Sequence, residues 1–371
     1  MSRLYLDYNA TTPVHPRVAA AMQSALDSYG NPSSAHWAGA PARLIIEESR
    51  RQIAALLGCE PDEIIFTSGG TEANNLALKG LAFARGVGTS HIITSAVEHP
   101  AILNPCAFLQ RLGASCTLLR VDATGRIDPD DLRGAIKPET TLISIMHANN
   151  EVGTIQPISE CGRIAREHGI AFHTDAAQTV GKIPTAVANL GVDMLSIAGH
   201  KLYAPKGIGA LYLRRGLTLE PLLHGASHER GRRAGTESAI LCAALGAAAT
   251  LATDLAPNQT IRELRDDFWN GLRDRFGARV VLNGHPVERL PNTLHVSFLD
   301  AVGGELLARV PDIAASTGSA CHSGSIELSP VLKAMGIKPD EGGGAVRFSL
   351  GRETTRKDIE SALAQLSTLP I

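Results

Sequence analysis

Between residues 64 and 213 the sequence alternates short apolar runs, typical of buried strands, with longer stretches of helical character. Successive runs lie roughly 25 residues apart, which leaves room for a helix in most of the gaps. Short buried strands joined by helical crossovers form a mostly parallel sheet. We therefore predict an α/β fold with strands at residues 64–67, 91–95, 116–121, 141–146, 170–174, 193–197 and 208–213.

After Gly216 the pattern changes. Residues 239–280 are typical of two helices, the first apolar and the second charged, and strand-like runs follow at 280–284, 292–298 and 345–350. We predict a large domain over residues 16–250 and a smaller α+β domain over 251–371, with residues 1–15 packing near the small one.

Charge and composition argue against several classes of protein. Lys and Arg total 35 against 37 Asp and Glu, and the formal net charge of −2 is unlike that of a nucleic-acid or membrane-surface binder. The longest apolar run is too short to span a bilayer, and no signal peptide is evident, so we expect a cytoplasmic protein. The six cysteines include no Cys-x-x-Cys pair, so we expect neither a disulfide framework nor a metal site.

The segment SGGTEANN, residues 68–75, follows a predicted strand and opens a predicted helix. Free backbone N–H groups and the dipole of a helix start make an anion site, and Gly69 and Gly70 let a phosphate approach the main chain. Thr71 adds a hydroxyl donor. A glycine turn with Thr71 as an ordinary helix cap explains the segment equally well.

Asp175 and Lys201 each stand where a predicted strand ends, the place where open α/β sheets bind ligands. A carboxylate there can pair with a protonated ring nitrogen, although a helix-capping Asp is an equal alternative. A partly desolvated Lys201 can form a Schiff base. Lys206 is the rival lysine, but it lies in a Pro/Gly turn that we expect to face solvent.

A phosphate cradle, an acceptor carboxylate and a Schiff-base lysine together are what pyridoxal 5'-phosphate requires. The chain resembles the class V, fold-type I aminotransferase family, and within it the NifS/IscS-like cysteine desulfurases. The motifs that match, in order, are LYLDYNATTPVHPRV, GNPSSAH, FTSGGTEANN, EHPAIL, NNEVGTIQP, HTDAAQ, GHKLYAPKGIGALY, RAGTES, STGSAC and VRFSLGR. The resemblance covers essentially the whole chain.

The resemblance implies roles around the cofactor ring. Lys201 would hold pyridoxal phosphate covalently and shuttle the substrate Cα proton. His99 would stack on the ring and act in proton transfer. Asp175 would pair with the ring N–H, and Gln178 and Asn150 would hydrogen-bond on the side of the phenolic oxygen.

The same resemblance implies contacts to phosphate and substrate. Gly70, Thr71 and His200 would bind the phosphate, and Thr236 would reach the phosphate of a neighbouring subunit, which implies a homodimer. Arg347 would clamp the substrate carboxylate, a bidentate task suited to Arg. Without the family match, Arg347 would be interpreted as a surface residue on a strand.

Cys321 lies in STGSACHSG, a small and polar stretch that predicts a mobile loop and makes poor core. A buried structural role is the usual alternative for one cysteine, and it is the role we expect for the other five. The resemblance implies that the Cys321 thiolate attacks the sulfur of L-cysteine, keeps it as a persulfide, releases L-alanine and passes the sulfur to an acceptor protein. The adjacent His322 is as consistent with activating the thiol as with facing solvent.

Three features depart from the family pattern. Ala198 replaces the usual Ser of SGHK, which implies one phosphate hydrogen bond fewer. GASHE at 225–229 replaces GGGQE. The run CHSG after Cys321 is similar to that of selenocysteine lyases and of desulfurases dedicated to other pathways. Separately, because the sequence ends soon after SALAQLSTLPI, we expect no tail of the kind with which housekeeping members dock an iron–sulfur scaffold.

Rival functions remain open at this point. A selenocysteine lyase would use the same residues on L-selenocysteine. A plain class V aminotransferase would not need Cys321. A metal-binding or sulfur-carrier protein without enzymatic activity is disfavoured by the absence of paired ligand spacing.

Overall fold

Strands and helices alternate along most of the chain in the computed structural model, which describes residues 3–317, 319–322 and 325–369. The strands in these residues are Leu4–Tyr5 (β1), Ile64–Thr67 (β2), His91–Ser95 (β3), Ser115–Leu119 (β4), Thr140–Ser144 (β5), Ala171–Asp175 (β6), Met194–Ala198 (β7), Gly209–Leu213 (β8), Val280–Leu282 (β9), Thr293–Phe298 (β10), Ile313–Ala314 (β11), Ser316–Thr317 (β12), Ser319–His322 (β13), Ser325–Leu328 (β14) and Ala345–Ser349 (β15). The helices are Pro16–Ala25 (α1), Gly39–Leu57 (α2), Gly70–Arg85 (α3), Pro100–Arg111 (α4), Pro129–Ala135 (α5), Ile158–Glu167 (α6), Val187–Leu190 (α7), Ala239–Ala252 (α8), Pro257–Phe276 (α9), Gly303–Arg309 (α10), Pro330–Ala334 (α11), Pro339–Gly342 (α12) and Arg356–Leu366 (α13).

The large sheet has seven strands in the order β2-β8-β7-β6-β5-β3-β4. Strand β8 runs antiparallel to both of its neighbours, and the other pairs are parallel. The predicted mostly parallel α/β sheet is therefore confirmed, and all seven predicted strands fall within two residues of the observed bounds. Strand β8 reverses direction because only a short connection separates it from β7, too short for a helical crossover.

Helices cover both faces of this sheet because its strands are apolar on both sides. Successive side chains of a strand point to opposite faces. Accordingly Ile93 packs into one cluster with Ile46 and Leu245, whereas the preceding Ile92 packs into another with Leu78 and Ile102. The first cluster brings helices α1, α2 and α8 onto one face, and the second brings α3 and α4 onto the other.

A second, four-stranded sheet has the order β12-β15-β10-β9 and is antiparallel. Helices α9 and α13 pack on it, and the rings of Phe268 and Phe348 meet edge to face with centroids 5.0 Å apart. Strand β1 pairs with β11, and Leu4 and Leu6 enter the same core. These elements agree with a smaller α+β layer, while the residue boundaries of the two domains stay predictions.

The segment that carries Cys321 is not a loop as predicted. Strand β13 pairs antiparallel with β14, and Cys321 lies opposite Ile326. Ser325–Leu328 forms the second strand of this short ribbon. The side chain of Cys321 lies outside what the structure describes.

Helix α8 is the most apolar helix of the chain, and it packs against α1 and α2. In the described part of the chain, no single helix combines the length and apolarity needed to cross a bilayer. Only Ala239–Ala252 and Pro257–Arg279, taken together as a pair bent by 74°, meet the same criteria of length and composition.

Candidate active site

A cavity of about 460 Å³ opens where strands β2, β6 and β7 end. This is the carboxyl edge of the parallel strands, where open α/β sheets bind ligands. Eight of the predicted site residues line it, namely Gly70, Thr71, His99, Asn150, Asp175, Gln178, His200 and Lys201. Residues far apart in the sequence thus converge on one cavity, as the predicted constellation requires.

The start of helix α3 forms one wall of the cavity. Its cap residue, Gly69, has φ 154° and offers no side chain to the N–H groups of the first turn. A Cβ added at Gly70 would lie 3.1 Å from the Cβ of Ala198, so bulk at either position closes the gap between helix and strand. The backbone donors and the helix dipole suit a phosphate here.

Asp175 ends strand β6 and is 7% exposed. Its Oδ2 accepts a hydrogen bond from Asn74 Nδ2 at 2.6 Å, and its Oδ1 accepts one from the backbone N–H of Ala177 at 2.9 Å. The second contact is the local capping bond considered above, but the carboxylate also faces the cavity. Asp175 therefore provides a fixed negative charge in the cavity wall.

Lys201 lies in the 3₁₀ turn Gly199–Lys201 directly after β7. Its Nζ donates to the backbone carbonyl of Asn9 at 2.9 Å. Burial lowers the pKa of Lys201 to about 8, although the charge of Asp175 opposes this shift. Lys206 also lines the cavity but is exposed, as expected for the turn that holds it. The amine of Lys201 is therefore neutral more readily than that of an ordinary lysine.

His99 precedes helix α4 as its cap residue, and its Nδ1 accepts a hydrogen bond from the N–H of Ala101 at 3.0 Å. That bond orients the ring and leaves Nε2 for a partner in the cavity. Desolvation by the surrounding protein lowers the pKa of His99, the charge of Asp175 opposes the shift, and Lys201 adds to it. The neutral ring is thereby favoured.

Arg347 on strand β15 is 8% exposed, so it is not a surface residue. Its Nη2 donates to Asp7 Oδ1 at 2.8 Å and to Ser316 Oγ at 2.9 Å, and its Nη1 donates to the carbonyl of Asn150 at 2.9 Å. Its buried Nε has no partner within the described chain. Arg347 does not itself line the cavity, but its contact with Asn150 places it directly behind the wall.

Thr236 is exposed and lies outside the cavity, so its predicted contact with a neighbouring subunit stays a prediction. The segment that leads to it is anchored by two ion pairs. Glu229, with φ 47°, accepts hydrogen bonds from Nη2 and Nη1 of Arg50 at 2.7 and 2.9 Å. Arg233 pairs with Glu72 in the first turn of α3 at 2.8 Å. The segment GASHE, residues 225–229, therefore ends in a buried carboxylate with a structural role, that of Glu229.

The cysteines other than Cys321 are buried or partly buried, in agreement with the structural role expected for them. Burial raises the pKa of both Cys59 and Cys161 to about 12. Such thiols are poor nucleophiles because the thiolate is the reactive form.

Sequence reasoning missed two residues that connect the site, Asn9 and Lys182. The carbonyl of Asn9 accepts hydrogen bonds from Lys201 and from Gln178 Nε2, and its Oδ1 accepts one from Lys182 Nζ at 3.2 Å. Its backbone N–H donates to Ser349 Oγ on β15 at 2.9 Å. The only signals in the sequence were the position of Asn9 inside LYLDYNATT and the spacing of four residues between Gln178 and Lys182.

Comparison with known proteins places this geometry in context. The family model described as aminotransferase class-V matches residues 4–362. A curated protein from Dictyoglomus turgidum, cysteine desulfurase IscS, is 49% identical over 371 residues, which cover 99% of this chain and 94% of that protein.

Two solved structures extend the similarity to the fold. A NifS-like protein superposes with a TM-score of 0.93 at 36% identity, covering 99% of this chain and 98% of its own. SspA in complex with cysteine superposes with a TM-score of 0.84 at 39% identity, covering 95% of this chain and 100% of its own. The similarity therefore extends over nearly the full length of the chains compared.

Proposed function

Because this chain belongs to the class-V aminotransferase family, we propose that it is a cysteine desulfurase, which converts L-cysteine to L-alanine and keeps the sulfur as a persulfide on Cys321. The observation that carries the proposal is the single cavity in which Lys201, Asp175 and His99 face the start of helix α3. The relatives named cysteine desulfurase support the choice of reaction within the family.

The cavity suits pyridoxal 5'-phosphate on its own chemistry. The uncapped start of α3 offers donors to a phosphate, and the glycine at residue 70 leaves the space that a Cβ would fill. Asp175 offers a carboxylate to a protonated ring nitrogen, and Lys201 offers an amine of lowered pKa. When bound, pyridoxal phosphate supplies a sink for the electron pair that remains when the substrate loses its Cα proton.

The residues of the chain then have distinct tasks. Lys201 binds the cofactor and, once released by the substrate, takes the Cα proton at its Nζ. A pKa of about 8 keeps a far larger share of this amine neutral at pH 7 than in an ordinary lysine. Asp175 stabilises a proton on the ring nitrogen, and His99, held through Nδ1, presents Nε2 to the cavity.

Arg347 is proposed to bind the substrate carboxylate. Its buried Nε lacks a partner in the described residues, and an unpaired buried donor of a charged group is costly. A carboxylate arriving next to Asn150 would give that donor an acceptor. Asp7 and Ser316 meanwhile hold Nη2 of the guanidinium in place.

Sulfur transfer is proposed to occur at Cys321. Its thiolate attacks the substrate sulfur, so a sulfur–sulfur bond forms while the bond from that sulfur to the substrate carbon breaks. The electron pair of the broken bond stays with the carbon, which takes a proton and becomes the methyl group of alanine, while Lys201 returns a proton to Cα. A thiol of a sulfur-acceptor protein then attacks the outer sulfur of the persulfide, and Cys321 leaves as the thiolate. We further propose a homodimer, in which Thr236 of one copy serves the phosphate site of the other.

The test is the visible spectrum of the purified protein, before and after addition of L-cysteine with a thiol reductant, with alanine and sulfide assayed together. We expect a cofactor band that is absent in Lys201→Ala, and equal yields of alanine and sulfide that vanish in Cys321→Ser. Cys59→Ser serves as the matched cysteine control and should retain turnover. A protein that stays colourless and inert after addition of pyridoxal phosphate would refute the proposal.

A further inference from the structure

Lys182 lies behind the active-site cavity, in contact with the cavity residue Gln178, and its hydrogen-bond partners are unusual. It lies one turn after Gln178, and its Nζ donates to Gln178 Oε1 at 3.0 Å and to Asn9 Oδ1 at 3.2 Å. In the part of the chain that the structure describes, both partners are neutral amide oxygens, and no carboxylate forms an ion pair with Lys182. A buried ammonium without a counterion is costly, so a structural role alone does not explain it well.

The contact of Lys182 with Gln178 acts together with the Asn9 carbonyl to orient that amide. An ammonium group only donates hydrogen bonds, so the atom that faces Lys182 is the amide oxygen. The amide nitrogen of Gln178 then donates to the carbonyl of Asn9 at 3.0 Å. A flipped amide would place its NH₂ group against the ammonium and its oxygen against a carbonyl, and both contacts would be repulsive. Gln178 lines the cavity, so the remaining N–H of the same amide is the group it can offer there.

The contact with Asn9 brings Lys182 close to Lys201. The carbonyl of Asn9 accepts a hydrogen bond from Lys201, while its side-chain oxygen accepts hydrogen bonds from Lys182 and from Asn292 Nδ2. One residue is therefore held between two lysine amines. Any change in the position of Lys182 is transmitted through a single residue to the acceptor that holds Lys201.

The charge of Lys182 also bears on this part of the site. Burial lowers its pKa to about 7, and the positive charges of Lys201 and Arg347 contribute to the shift. The charged groups that act on Lys201 itself are Asp175, Arg347 and Asp7. Because Lys201 and Arg347 act on the pKa of Lys182, the three groups are close enough to interact electrostatically.

We propose that Lys182 is a positioning residue, which fixes Gln178 so that it presents an N–H donor to the cavity and which holds Asn9 beneath the Lys201 amine. The inference rests on the proposed function in one respect, because the acceptor for that N–H is taken to be the phenolic oxygen of pyridoxal phosphate. A negatively charged oxygen needs a donor at this point, and a flipped amide would present an acceptor to it.

The experiment is a double-mutant cycle on the affinity of the apoprotein for pyridoxal phosphate, measured by equilibrium dialysis without any turnover. Lys182→Met removes the donor and the charge but keeps much of the chain length. We expect it to weaken binding by about tenfold, the effect of losing a charge-assisted hydrogen bond. In a Gln178→Leu background the same substitution should change the affinity by less than about twofold, because the target amide is gone. Lys357→Met, an exposed substitution on α13, is the matched control and should leave the affinity unchanged.

Two further readouts separate positioning from general stability. Lys182→Arg keeps a cationic donor and should restore part of the affinity, and Lys182→Gln replaces Lys182→Met if that variant does not fold. In the loaded protein, Lys182→Met should change the pH midpoint of the visible cofactor band, because Asn9 loses a contact that holds it beneath Lys201, whereas Lys357→Met should not. Equal losses of affinity in both backgrounds, or no loss at all, would overturn the inference. If the unsubstituted apoprotein fails to bind pyridoxal phosphate, that result refutes the proposed function itself.

Discussion

Asn74 donates a hydrogen bond to Asp175 across 2.6 Å, and both side chains are buried in the wall of the cavity. Asn74 lies on helix α3 and Asp175 ends strand β6, so the bond joins the proposed phosphate site to the proposed ring-nitrogen site. The backbone N–H of Ala177 holds the other carboxylate oxygen. The orientation of Asp175 therefore depends on one side chain and one backbone group.

Replacing Asn74 by Leu should weaken pyridoxal phosphate binding by about tenfold, since a hydrogen bond to a charged group contributes roughly 1.5 kcal/mol. Equilibrium dialysis of the apoprotein measures the effect. Asn258→Leu removes a comparable amide contact, to the carbonyl of Gly181, outside the cavity, and should leave the affinity unchanged. Equal affinities for the two variants would contradict a role of Asn74 in holding Asp175.

The amine of Lys201 should react with acylating reagents at lower pH than surface lysines do. Its pKa is lowered to about 8 by burial, so the neutral and reactive form increases as the pH rises through 8, against about 10.4 for an ordinary lysine. Mass spectrometry of the Lys201 peptide from briefly acetylated apoprotein gives the midpoint. Because the charge of Asp175 opposes the shift, Asp175→Asn should move the midpoint lower still. A midpoint equal to that of exposed lysines would contradict the prediction.

Replacing Ala198 by Ser should strengthen cofactor binding severalfold. The Cβ of Ala198 lies against Gly70 at the start of α3, so a hydroxyl there adds a donor beside the proposed phosphate position, worth about 1 kcal/mol. The matched variant is Ala198→Val, which adds bulk without a donor and should weaken binding. Dialysis against pyridoxal phosphate distinguishes the two. An affinity that changes in the same direction for both variants would argue against a phosphate at this position.

The buried pair of Arg50 and Glu229 should be a major source of stability for the segment that leads to Thr236. Glu229→Gln leaves the buried guanidinium with only the partly exposed Glu47 as a charge partner, and we expect a loss of about 3 kcal/mol in the free energy of unfolding. Denaturant unfolding of the apoprotein measures it. The control is Glu48→Gln, in an exposed pair with Arg51, which should cost about 0.5 kcal/mol or less. Similar losses for both substitutions would refute the distinction.

The sequence was sufficient to predict the seven strands of the large sheet, because buried strands leave a strong local signal. The predicted strands also placed Asp175 and Lys201 in one cavity. Asp175 ends β6 and Lys201 comes shortly after β7, and both strands end at the same edge of the sheet. The direction of β8 could not be derived as easily, because an apolar run carries no information about its orientation.

The roles of Lys182 and Asn9 could not be predicted from the sequence, for a different reason. Lys182 and Asn9 meet across 173 residues of chain, and their contact depends on how two distant segments pack. Likewise the polar stretch around Cys321 predicted a loop, whereas pairing with Ser325–Leu328 makes it a strand. Local propensity is a weak guide wherever a partner from elsewhere in the chain decides the structure.

The hydrogen bond from Asn9 to Ser349 has a consequence for biosynthesis, because it joins residues 340 positions apart. Ribosomes add roughly 5–20 residues per second, so Asn9 is made about half a minute before its partner on β15. The seven-stranded sheet is complete by Leu213 and can begin to fold in that interval. Asn9, which accepts the hydrogen bond of Lys201, gains its contact with Ser349 only when β15 has emerged. A nascent chain stalled before β15 should therefore hold a formed sheet but bind pyridoxal phosphate weakly.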